Sequence, residues 1–227
     1  MPDPFRIVSS LILLVLLSGC DPIRSSPKAV YLSEQQLTEA RQVKPNATPL
    51  EKVVADSIEQ TTKTFSYDPA YVKLDYPNGD VPIDRGVCAD VVIRAFRKGG
   101  VDLQKEVHED LKQNFAKYPR KWGAKKPDRN IDHRRVPNLM TWFERQGKSV
   151  PPVQEDRAGD AARDYLPGDV IVWELGSGLV HIGLVSGVKV KDADRYAIVH
   201  NIGSGAKLED VLFAWKIIGH YRYFGTP

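Results

Sequence analysis

A chain of 227 residues can bury one substantial core and is too short to require two full domains. Its 42 % apolar and 27 % charged residues exclude a disordered chain and a polytopic membrane protein, and a formal charge of +3 is too mild for a dedicated nucleic-acid binder.

The amino-terminal run IVSSLILLVLL, residues 7–17, follows Arg6 and is short for a spanning helix. It ends in Leu17-Ser18-Gly19-Cys20, an order that resembles the lipobox of bacterial lipoproteins. The expectation is a signal peptide over 1–19 and a lipid anchor on Cys20, with the protein in the cell envelope facing the periplasm. Asp21 resembles the signal that retains lipoproteins at the inner membrane of two-membrane bacteria. Of the two cysteines only Cys88 then remains free, in a compartment that favours disulfides, and catalysis would explain a lone thiol there. Residues 20–49, with Pro22, Pro27, Pro45 and Pro49, read as a flexible tether carrying a short helix over 33–43. The catalytic-size domain is then 50–227, and a monomer is expected.

Helices come first. Leu50, Val53, Val54, Ile58 and Phe65 recur at helical spacing, and Pro, Gly, Asp and Tyr over 67–86 mark a shaped loop. The next helix starts at Cys88, buries Val91, Val92, Ala95 and Phe96, and stops at Gly99-Gly100. Leu103, Val107, Leu111 and Phe115 define another, and Val136, Leu139, Met140 and Phe143 a third. After Pro151-Pro152 the pattern changes to strands: DVIVWEL, LVHIGLVSG, AIVHNIG and KIIGHYRYF. Helices followed by an antiparallel meander make an α+β fold.

A thiol at a helix start gains from the helix dipole and becomes a nucleophile when an imidazole assists it, so a lowered thiol pKa is expected at Cys88. His181 and His200 lie in adjacent strands, where His181 would be the base and His200 its orienter. Asn201 faces the other way and is the weaker alternative. His108 sits among Lys105, Glu106, Glu109 and Asp110 on a solvated helix face, and His220 reads as structural. Asp90, early in the helix, complements the dipole more readily than it catalyses.

The order of a cysteine at a helix start, "PGDVIVW", "HIGLVSG" and "IVHNIG" resembles the NlpC-type cell-wall cysteine peptidases, relatives of the papain-like fold. In finer detail, "GDVPIDRGVCADVVIRAF", "NIDHRRVPNL", "HNIG" and "GHYRY" are similar to an exported branch known as domain-of-unknown-function family 1287. The resemblance implies a nucleophile helix packed on a small antiparallel sheet, with Cys88 as nucleophile, His181 as base and His200 as orienter. Together with side-chain chemistry it marks Tyr76, Asp80, Asp90, His133, Arg134, Arg135, Trp173 and Asn201 as substrate-binding residues. Where peptidases of this type carry Asp-Cys-Ser-Gly, this chain has Val87-Cys88-Ala89-Asp90, so the pocket around the thiol differs.

The basic segment 117–135, around Tyr118 and Trp122, suits carboxylates of a peptide or an anionic polymer, with Arg134 and Arg135 as bidentate donors. Export argues against nucleic acid. The spacings of metal hydrolases, Walker loops and serine hydrolases are missing, so no metal or cofactor is implied. The expected activity is a thiol hydrolase cleaving an amide bond in peptidoglycan stem peptides or wall-linked peptide. The alternatives are an acyltransferase or transpeptidase using the same acyl-enzyme, and a catalytically silent wall-binding module.

Overall fold

The computed structural model describes residues 28–30, 32–154, 163–191 and 193–225. The proposed lipid cysteine Cys20, Asp21 and the signal peptide lie outside these residues. No helix among the described residues is long and apolar enough to cross a membrane.

The fold is mixed α+β. In chain order it runs β1 (Lys28–Ala29), α1 (Glu34–Arg41), α2 (Pro49–Glu59), β2 (Ser66–Tyr67), β3 (Arg85–Gly86), α3 (Cys88–Lys98), α4 (Leu103–Asn114) and α5 (Val136–Arg145). Five strands follow: β4 (Val170–Gly176), β5 (Leu179–Lys189), β6 (Tyr196–Asn201), β7 (Ala206–Asp210) and β8 (Lys216–Tyr221). The main sheet has the order β1-β7-β6-β5-β4-β8, antiparallel throughout, and β2 pairs with β3 in a separate two-stranded ribbon.

Three sequence expectations are corrected. The sheet is not a plain meander, because β8 returns across it to pair with β4, while β7, a strand the sequence reading lacked, takes the place beside β6. From residue 28 onward the supposed tether belongs to the body: Val30, Leu32, Leu37 and Ala40 pack on Ile58, Val91, Val188, Val199 and Ala206. The third concerns Phe65. α2 ends at Glu59 and one 3₁₀ turn carries the chain to Thr62, so Phe65 leaves the helical stripe and is 67 % exposed.

Local chemistry explains the helix boundaries. Thr48 caps α2 through the Glu51 N–H while the Glu51 carboxylate accepts from the Thr48 N–H, and Pro49 takes the first turn, where its missing donor costs nothing. Asp102 caps α4 by accepting from the Gln104 N–H. α3 is the central helix, with every residue from Cys88 to Phe96 buried. One face of the sheet (Val170, Val172, Ile182, Leu184) packs on α3, α4 and α5. The opposite face (Ile171, Trp173, Val185, Ile198, Ile217) is covered by Tyr165, Val211 and Leu212. The Pro167-Gly168 turn needs its glycine: φ is +87°, and an added Cβ would lie 2.2 Å from Leu50 Cδ1.

Side chains from the core shape the 66–86 loop. Arg94 of α3 donates to the Asp80 carboxylate at 2.9 Å, to Thr64 Oγ1 and to the carbonyls of Val81, Pro82 and Arg85. Gln104 of α4 accepts from the Gly79 N–H and donates to the Asp75 carbonyl. The loop is thereby fixed around the start of α3.

Candidate active site

Cys88 opens α3, with Val87 as its N-cap and Asp90 in the first turn. Asp90 accepts from the Val87 N–H at 2.6 Å, and Arg134 donates to both its oxygens, Nε and a terminal nitrogen each at 2.9 Å. Both side chains are buried. Arg134 also donates to the carbonyls of Ala70 and Asp68, which pins the loop before α3. Asn201 donates to the carbonyls of Ser66 and Gly86 and so ties β2 and β3 to the end of β6. Cys88 therefore starts its helix inside a frame built from four separate chain segments.

The thiol lines a cleft of about 520 Å³. Tyr67, Pro69, Leu179, Val180, Lys121, Trp122 and Arg135 line it as well. The Arg135 guanidinium sits 4.7 Å over the Trp122 ring, and its nearest acidic partner, Asp132, is 3.7 Å away. Lys121, Arg134 and Arg135 line the cleft, and no acidic side chain does so among the described residues.

Cys88 meets β5 at the backbone N–H of Ile182, the residue after His181. Pairing of β5 with β6 begins at Gly183 opposite His200, one residue after Ile182, whose N–H faces the thiol. Strand alternation sends the Ile182 side chain toward α3, while the His181 ring shares the Trp173 face, stacking at 5.7 Å between centroids. His181 Nε2 lies 2.8 Å from His200 Nδ1, and His200 Nε2 lies 2.9 Å from Glu209 Oε2. Trp215 stands edge-on to both imidazoles. Gly183 makes room for this arrangement. A Cβ there would lie 3.1 Å from His200 Cβ and 2.9 Å from Ile198 Cγ2, which is why the residue two beyond His181 is a glycine.

Burial pushes the Cys88 thiol up to about 11; the Asp90 carboxylate adds to the rise and the Ile182 N–H opposes it. Burial lowers His181 to about 3, helped by its neighbour His200. The free site thus holds a neutral thiol and a neutral imidazole, not the lowered thiol expected from the helix start. Desolvation outweighs the helix-start N–H groups of Cys88 and Ala89, which pull the other way, and the Asp90 charge adds to it. Tyr67 is pushed up to about 12, by burial first and by its neighbour Cys88 next, so its hydroxyl keeps its proton beside the thiol.

The structure therefore brings Cys88, Arg134 and Arg135 to one cleft and joins His181 to His200. The fork of Arg134 is committed to Asp90, which corrects its reading as a free carboxylate receptor, and Asp90 is equally engaged. Asp80 is paired with Arg94, and His133 is buried, lowered to about 4 by desolvation, and does not line the cleft. Tyr76 packs edge-on against His108 and donates to Glu109 at 3.4 Å, away from the cleft. Trp173 is fully buried, donates to the Leu212 carbonyl and stacks on His181, which corrects its reading as a substrate-binding residue. Asn201 holds backbone and leaves His181 to His200. His220 Nε2 donates to the Asp169 carboxylate at 2.7 Å in the turn before β4, a structural contact. Glu209, Tyr67 and Trp215 were not legible as site residues. Among the described residues no group of three His, Cys, Asp or Glu side chains is placed to hold a metal ion.

Residues 54–223 match the family model described as Domain of unknown function (DUF1287). The chain is also 56 % identical over 166 residues to the Escherichia coli (strain K12) protein named Uncharacterized protein YijF, covering 73 % of this chain and 78 % of that protein. The matched segment runs from α2 to the end of β8 and includes every cleft and histidine residue described above, and on that match the chain belongs to the DUF1287 family.

Proposed function

We propose that the chain is a papain-like thiol hydrolase of the NlpC type that cleaves an amide bond in an acidic cell-wall peptide, held in the envelope by a lipid on Cys20. The observation that carries this reading is the buried His181–His200 pair at 2.8 Å beside the strand position where Cys88 is seated. A base needs a partner that fixes its ring, and His200 supplies one. Lys121, Arg135 and Trp122 in the cleft lining support an anionic substrate, because a carboxylate entering there meets cations and no competing acid.

In this mechanism the Cys88 sulfur attacks the carbonyl carbon and its proton is taken by His181. The C–N bond then breaks, His181 returns the proton to the leaving amine, and water hydrolyses the thioester to a free carboxylate and thiol. The Tyr67 hydroxyl and the backbone N–H groups of Ile182, Ala89 and Cys88 act on the thiol and are the donors that would steady negative charge as it develops. A second reading is a wall-binding module without turnover, in which the neutral, buried thiol does not react.

Digestion of purified peptidoglycan separates the readings. With wild type, mass spectrometry is expected to find fragments ending in new carboxyl and amine groups, and Cys88→Ala should release none. Fragments joined to an added amine would reassign the protein as an acyltransferase, and wild-type digests identical to Cys88→Ala would overturn enzymatic action on the wall.

A further inference from the structure

The chain His181–His200–Glu209 fixes more than the orientation of a ring. Glu209 lies on β7 opposite Ile198, one strand position diagonal from His200, whose direct partner is Lys207. Its carboxylate is nearly buried and 2.9 Å from His200 Nε2, while the His200 side chain is fully buried. The hydrogen bond from His200 holds Glu209 below the usual carboxylate range, so it is ionised and can only accept. His200 Nε2 must then carry a hydrogen. In a neutral ring this leaves His200 Nδ1 as a lone pair, and the 2.8 Å contact with His181 is satisfied only if His181 Nε2 is the donor. One hydrogen on Nε2 leaves His181 Nδ1 bare.

We infer that Glu209 is a positioning residue: acting through His200, it selects the Nε2–H tautomer of His181 and leaves Nδ1 as the nitrogen that takes the thiol proton. Without an acceptor at position 209, His200 is free to carry its hydrogen on Nδ1 and donate to His181 Nε2. His181 would then hold its own hydrogen on Nδ1, where a base needs a lone pair. The catalytic part of this inference rests on the proposed thiol hydrolysis, and the tautomer part does not.

The test combines ¹⁵N-histidine NMR, in which long-range couplings separate Nδ1–H from Nε2–H rings, with kinetics on the peptide released from the wall. Wild type should show His181 as Nε2–H. Glu209→Gln keeps an acceptor oxygen and should retain both the tautomer and kcat within about threefold, whereas Glu209→Met should populate Nδ1–H and lower kcat about 10²-fold at unchanged KM. Wild-type His181 in the Nδ1–H form overturns the inference whether or not any variant folds. So does an Nε2–H ring with undiminished kcat in Glu209→Met. If wild type cleaves nothing while the tautomer still follows residue 209, the positioning role stands and the hydrolase reading falls.

Discussion

Replacing Arg134 with methionine is expected to lower the unfolding free energy by about 3–5 kcal/mol, the range for removing one partner of a buried ion pair. Arg134 and Asp90 are 6 % and 3 % exposed, and the guanidinium makes both carboxylate contacts at 2.9 Å. Its loss leaves Asp90 charged and buried in the first turn of α3, and it frees the Ala70 and Asp68 carbonyls that hold the loop at the cleft. Urea unfolding at pH 7 should show a lower midpoint with an unchanged slope. Combining Asp90→Asn with Arg134→Met removes the stranded charge and should recover a large part of the loss. A single-variant cost below about 1 kcal/mol would mean that the pair behaves as a solvated surface bridge.

The same pair shows where the sequence was opaque. Arg134 stands in a basic run and reads as an available anion receptor, but its partner lies 44 residues earlier, in a helix whose burial no local pattern reveals. α3 itself was legible, because an apolar stripe, an early acidic residue and Gly99-Gly100 all agree on its limits. His181 and His200 were legible as neighbours for a similar reason: consecutive strands of an antiparallel sheet usually pair, and both histidines fall on one face of β5 and β6. Glu209 was hidden because KLED after a glycine turn looks like solvated surface. Its strand exists only through pairing with β6 and β1. Tyr67 was hidden because loop residues acquire position only from the side chains that clamp the loop, here Arg134 and Asn201.

The Cys88 thiol is expected to alkylate slowly at neutral pH. A thiol titrating at about 11 is ionised far less at pH 7 than a free cysteine at ~8.5, so labelling by iodoacetamide should be about 300-fold slower than for an exposed cysteine and rise roughly tenfold per pH unit toward that value. The direction follows from burial: a raised thiol pKa keeps the protonated form dominant below it. His181, lowered to about 3, is neutral and able to accept a proton at any pH above that value. Turnover should therefore be flat from about pH 5 to 9, without the acid limb that a preformed thiolate–imidazolium pair would give. Rapid labelling at pH 6 that disappears in His181→Gln would instead reveal such an ion pair. Slow labelling by itself does not argue for a silent protein, since proton transfer to His181 can accompany attack on a bound carbonyl.

Capture of the acyl-enzyme tests the central claim most directly. Wild-type protein is mixed with wall-derived acidic peptide, quenched in acid within the first turnover and analysed by intact and peptide-level mass spectrometry. The thiol hydrolase account predicts an acyl group of the substrate's mass on the peptide containing Cys88, labile to hydroxylamine and missing from Cys88→Ala. Cleavage that proceeds equally in Cys88→Ala, or an acyl group carried on any other residue, would contradict it.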